Sequence, residues 1–255
     1  MKTEPYKIQS DLLRITLCGG FHQFQNYFQE IKQVMQSKTQ IGEAFFTTRH
    51  EDYVMKGYQE GSGSSSIGRH LLTEMIKELV GCKRNESEYM LNQKESYGFS
   101  DAIEAIKTKF KTDYDQAVLE LGHIRTLTNN LIRANEKIID ERYLPLYRKL
   151  TTGDIQGRVS SEKVHFLTNL ISSYSFSNHS KHYPGNHWTN TTMKRLVPIE
   201  QIIIHSGIFE LESFTTEENE VIIFNPEHEL KITTEAKIEN YPDYKPELLK
   251  IIIPE

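Results

Sequence analysis

Glu218-Asn219-Glu220-Val221-Ile222-Ile223 opens with two carboxylates two positions apart and runs straight into three β-branched residues. Such residues favour strands, where successive side chains face opposite ways. The segment therefore reads as a strand with Glu218 and Glu220 on one face and Val221 and Ile223 on the other. Paired carboxylates at a strand edge can divide the breaking of a glycosidic bond between them: one steadies positive charge on a sugar ring, the other receives a proton from or orients the nucleophile. The same two charges would equally suit a solvent-facing edge that resists pairing with other chains.

Around this segment the chain is strand-rich, with brief apolar runs between turn residues. Strands are predicted at Ser172 to Ser177, Met193 to Val197, Gln201 to His205, Glu218 to Phe224 and Leu230 to Thr233, and Val164 to Ile171 is a short helix or strand. Upstream the period changes. Leu12 to Leu17 reads as a short strand closed by Gly19-Gly20, followed by a helix carrying Phe21, Phe24, Phe28, Ile31 and Val34. Ala44 to Thr48 is a second short strand, and Gly61 to Ser66 a loop or helix lead-in. A helix is predicted from Ile67 to Val80, with Leu71, Leu72, Met75, Ile76 and Leu79 inward and Gly81 as its stop.

From Ser100, read as an N-cap, apolar residues recur from Ile103 to Ile138 on one helical face, as a long helix or a helical hairpin. Gly122 offers a break, and Pro145 ends the stretch. Helices first and strands after predict an α+β fold.

The 255 residues allow one sizeable domain or a compact core with an appended helical piece. Lys and Arg number 30 against 35 Asp and Glu, so nothing in the net charge of -5 draws the chain to nucleic acid or anionic membranes. Two cysteines without metal-type spacing point to a reducing compartment, and the absence of a leader-like or bilayer-length apolar run predicts a cytoplasmic chain, or one delivered into another cell without a signal peptide. His179, His182 and His187 crowd a segment of turn composition that is poorly suited to fixing metal geometry, so no metal is expected.

The tract from Thr192 to Ile203, the Glu-x-Glu strand, Phe224-Asn225-Pro226 and Leu230-Lys231-Ile232 together resemble the C-terminal half of mono-ADP-ribosyltransferases of the Arg-Ser-Glu type. The resemblance covers roughly the last third of the chain. It implies a split β-sandwich that binds NAD as co-substrate, with a large helical insertion. The corresponding parts would be residues 1–66 and 153–255 as core and 67–152 as insertion. It implies that Glu220 engages the nicotinamide ribose and that Glu218 engages the acceptor. The family's serine strand falls on Ile171 to Ser177, with Ser175 as the match and Ser173 and Ser177 as neighbours. Tyr174 or Tyr183 would stack on the nicotinamide ring. An arginine on the family's first strand grips the phosphates, a role that falls to Arg14, with Arg49 as rival. The activity implied is transfer of ADP-ribose to a macromolecule, most naturally a protein arginine, with nucleic acid as another acceptor. The setting would be that of a toxin or effector with an immunity or antitoxin protein. A reading of another class is a non-catalytic interaction protein that docks a partner on the helical face from Ile103 to Ile138.

Overall fold

The computed structural model describes residues 5–18, 25–38, 67–136, 138–139, 141–151, 154, 157–158, 160, 165–176, 188–209, 220–234 and 248–252. Two compact units divide the chain, Met1–Ile124 with Phe209–Phe214, and Arg125–Ile208 with Thr215–Glu255. The fold is α+β, and the strands of the sheet lie in the second unit.

The first unit is helical among its described residues: α1 (Asp11–Cys18), α2 (Gln25–Lys38), α3 (Ile67–Val80), α4 (Glu88–Ser96), α5 (Phe99–Lys109) and the start of α6 (Lys111–Asn135). The expected strand at Leu12 to Leu17 is α1 instead. Leu12, Leu13, Ile15, Thr16 and Leu17 are all buried, and an apolar run buried on every side carries no period that separates helix from strand. Its start is fixed from outside. The Ser10 hydroxyl accepts the Leu13 N–H at 3.2 Å. The buried Glu120 carboxylate of α6 accepts the Gln9 and Ser10 N–H groups, the latter at 2.7 Å. Glu120→Ala is therefore expected to lower the stability of this unit by about 3 kcal/mol in chemical denaturation, since hydrogen bonds to a charged acceptor are worth roughly 1.5–3 kcal/mol each.

Helix α3 has the predicted bounds. Leu71, Leu72, Met75 and Ile76 are buried, and Gly81 ends the helix at φ +63° while Cys82 N–H reaches Lys77 O at 2.9 Å. The stripe that follows is core: Ile103, Ile106, Tyr114, Ala117, Leu121 and Ile124 are buried. It breaks at Phe110, between α5 and α6, and runs unbroken through Gly122, whose bare Cα lets Leu79 approach. Gly98, in a left-handed conformation, caps α5 in place of Ser100. The predicted strand Ala44 to Thr48 and the loop Gly61 to Ser66 lie outside the described residues.

Among its described residues the second unit holds eight strands: β1 (Tyr143–Thr151), β2 (His165–Leu167), β3 (Ile171–Ser175), β4 (Trp188–Pro198), β5 (Ile202–His205), β6 (Glu220–Phe224), β7 (Glu229–Thr234) and β8 (Leu248–Ile252). They pair in the order β2-β7-β8-β4-β1-β3-β6-β5, antiparallel except for β4 with β8. Pro145 thus does not stop a helix but lies within β1, opposite Leu196 of β4. The described helices up to Ile124 and the sheet belong to different units, and among the described residues the first strand of the sheet along the chain is β1.

The sheet cannot be flat. β3 continues from β2, and β6 continues into β7, through short links at 168–170 and 225–228. Each pair stands five strand spacings apart in the ladder, about 24 Å if flat, whereas the three-residue link reaches only about 14 Å. The ladder curls until its ends meet, enclosing Leu144, Leu146, Met193, Tyr174, Val221 and Leu230 in one core.

A polar network sits where the ends meet. Arg195, fully buried, donates to Asn225 Oδ1 and, at 2.9 Å, to Gln201 Oε1. Asn225 in turn donates to Asn169 O at 2.6 Å and Ser172 Oγ at 3.1 Å, and Thr168 N–H reaches His228 O at 2.9 Å.

Candidate functional site

β6 begins on Glu220, as its β-branched run requires, and registers Glu220 opposite Ser175 of β3. Ser175 is opposite Tyr147 of β1, and Tyr147 opposite Lys194 of β4. Directly opposed antiparallel residues share a face, so these four form one row across four strands. Lys194 Nζ lies 5.8 Å from the Tyr147 ring centre. Ser173, two positions from Ser175 and so on the same face, donates its hydroxyl to Glu220 Oε1. Glu220 is 8% exposed, and burying so polar a group without a hydrogen-bond donor would be costly.

Of the sequence-derived residues, the structure brings Glu220, Ser173 and Ser175 together. Tyr174 does not join them. Alternation turns it to the opposite face, where it is packed in the core with Val221 and cannot present its ring to a ligand beside Glu220. Arg14 is not on a strand: it lies in α1, in the other unit, and its Nη2 donates to Ile8 O at 2.6 Å. Glu218, Ser177, Arg49, Tyr183 and the histidines 179, 182 and 187 lie outside the described residues.

Sequence reasoning missed Arg148. It lies on β1, the first strand among the described residues, one position after Tyr147. Its signal was the alternation Leu144, Leu146, Arg148, Leu150, masked by the helical stripe before it. Beyond the single Tyr147–Ser175 pair, β1 and β3 part, and Arg148 stands at this split. Its Nη2 is 3.4 Å from Asp154 Oδ1, which also accepts from Arg158 Nη1 at 2.8 Å. Arg158 donates through Nε to Leu167 O at 3.0 Å and lies 4.7 Å over the Phe166 ring. Burial lowers its pKa to about 10, Arg148's like charge adds to this, and Asp154 opposes both.

At the end of β5, His205 meets the Phe176 ring edge-on at 5.0 Å, and neither imidazole nitrogen finds a partner among the described residues. Gly207 packs beside it, and a Cβ there would stand 2.7 Å from the imidazole, so a larger residue would make the ring shift. Burial lowers the His205 pKa to about 4. A histidine with a depressed folded pKa contributes stability above its unfolded value near 6.5, and that stability is lost as pH falls toward 4. His205→Phe should flatten the stability profile of the chain in this window, by on the order of 3 kcal/mol, in urea melts at stepped pH.

No protein-family model matches the chain, and no curated protein matches it in sequence. No helix among the described residues is long and apolar enough to cross a membrane.

Proposed function

We propose that the chain is a mono-ADP-ribosyltransferase, with Glu220 as the catalytic carboxylate. One observation carries the reading: Glu220 and Ser173 meet on adjacent strands, with Ser175 opposite Glu220, where the resemblance expects a Ser-x-Ser strand against the catalytic glutamate. In this reading the serine motif is Ser173-Tyr174-Ser175, and the first-strand arginine that grips the NAD phosphates is Arg148 in place of Arg14. Strand alternation sets Arg148 on the core side of the sheet and Glu220 on the other.

NAD is the substrate. As the bond between C1′ of the ribose and nicotinamide nitrogen breaks, its electron pair leaves with nicotinamide, and the ribose takes on oxocarbenium character. Glu220, held by Ser173, hydrogen-bonds the ribose and steadies this positive charge. The acceptor nucleophile attacks C1′, and Glu218 takes up its proton, a role that rests on the resemblance. The acceptor is a protein side chain, arginine by the Glu-x-Glu pattern, with nucleic acid as the other class; the setting is a toxin or effector countered by an immunity protein. The rival interaction-module reading loses its surface, since most of the helical stripe it needs is buried.

The test incubates the chain and a cell lysate with NAD labelled in the adenylate half. Nicotinamide release with label transfer, both lost in Glu220→Gln, supports the reading; intact NAD in every lysate tried overturns it.

A further inference from the structure

The face of the sheet that carries Glu220 also carries a group of lysines. From Glu220 the register runs through Ser175 and Tyr147 to Lys194, and on through β8 to Thr233 of β7. Lys149 lies two positions from Tyr147 and Lys231 two positions from Thr233, so alternation sets both on this face. Their chain neighbours Leu150, Leu230 and Ile232 are buried on the other. Lys149 is opposite Thr192, which makes it a diagonal neighbour of Lys194, with Cβ atoms roughly 7–8 Å apart. Lys149 and Lys194 are half-buried, and Lys231 is exposed. Among the described residues none of these three lysines makes an ion pair, so their mutual repulsion has no acid to offset it. The described strand residues on this face carry carboxylates only at Glu220 of β6 and Glu229 of β7, one on either side of the lysines in strand order.

We infer that the lysine face docks the protein acceptor through an acidic segment, and so selects which arginine is modified. Unpaired positive charge on a sheet face complements carboxylates on a partner. The two flanking acids favour a protein over a nucleic acid. A phosphodiester strand laid across the lysines would run on into Glu220 or Glu229, whereas a short acidic segment fits between them and can turn basic where it reaches Glu220. Glu220 and Lys194 are three strand spacings apart, about 14 Å along the sheet, which an extended peptide covers in about four residues. Side chains an even number of positions apart share a face of an extended peptide. The preferred target therefore has an arginine with glutamates or aspartates from the fourth residue onward, at alternate positions. The inference rests on the ADP-ribosyltransferase reading for the arginine; the acidic docking face stands on the lysines alone.

The probe is a fluorescently labelled peptide with one arginine followed, from the fourth residue on, by three glutamates at alternate positions. Its anisotropy is read with the full chain at low salt and without NAD, so no turnover is needed. Binding is expected, weakening as salt is raised, and about tenfold weaker when the glutamates are replaced by glutamine. Lys149→Gln and Lys194→Gln together should weaken binding of the acidic peptide about tenfold and leave the glutamine peptide unaffected, and Lys149→Arg with Lys194→Arg should retain most of the affinity. Equal affinity of wild type for the two peptides, or no salt-sensitive binding at all, overturns the inference, and that comparison needs no variant to fold. Tighter binding of a single-stranded oligonucleotide of equal charge also overturns it and gives the face to nucleic acid. With labelled NAD added, transfer to both peptides at the same rate sinks this inference and leaves the enzymatic reading; glutamate-dependent binding with NAD left intact does the reverse.

Discussion

Glu220→Gln is expected to lower nicotinamide release by about 10²–10³-fold, the range found when one preorganised group facing transition-state charge is removed. The amide keeps the size of the side chain and an oxygen that can still accept from Ser173, so local packing should hold. What is lost is the negative charge, which matters most once the ribose becomes cationic. The fall should therefore appear in kcat, with NAD affinity by calorimetry almost unchanged. Ser173→Ala, which removes only the hydroxyl that holds the carboxylate, should cost less than Glu220→Gln. Equal release by wild type and Glu220→Gln would take this residue out of the chemistry.

The second large effect is on stability. Arg195→Met is expected to lower the stability of the sheet-bearing unit by about 3–5 kcal/mol, the usual result of removing one member of a buried charged network. Folded proteins commonly have only about 5–15 kcal/mol in hand, so this one change should leave the unit marginal. The methionine fills much of the volume, yet Asn225 Oδ1 and Gln201 Oε1 both lose a donor at the point where the curled sheet closes. Urea denaturation followed by sheet circular dichroism measures it. A midpoint within a few tenths molar of wild type would mean that the apolar core alone holds the ends of the ladder together.

Several strands were legible because their residues carry the pattern locally. Val221-Ile222-Ile223, Ile202-Ile203-Ile204 and Ile171 to Ser175 are short, β-branched or alternating, and bounded by turns, and they became β6, β5 and β3. Helix α3 announced itself through its apolar face and Gly81. Glu220 and Ser173 were legible for the same reason, since each lies in a well-marked strand. What stayed hidden depends on partners remote in sequence. β1 is a strand because β4 lies beside it from Tyr143 to Thr151, and nothing in Tyr143-Leu144-Pro145-Leu146 overrides the helical period just before. Arg148 went with it. Leu12 to Leu17 became a helix because Glu120, far along the chain, receives the N–H groups that precede it. β8 escaped notice for the same reason as β1, being a short apolar run that only its neighbours define.

The place of β8 bears on the order in which the molecule can be assembled. It is last among the strands along the chain, yet it sits inside the ladder between β7 and β4. Until Leu248–Ile252 arrives, β4 and β7 each expose a row of unpaired backbone groups, and the nascent sheet exists as two separate ribbons. Completion therefore waits on a contact of high sequence separation, which makes for slow maturation and a window in which those ribbons can recruit another chain.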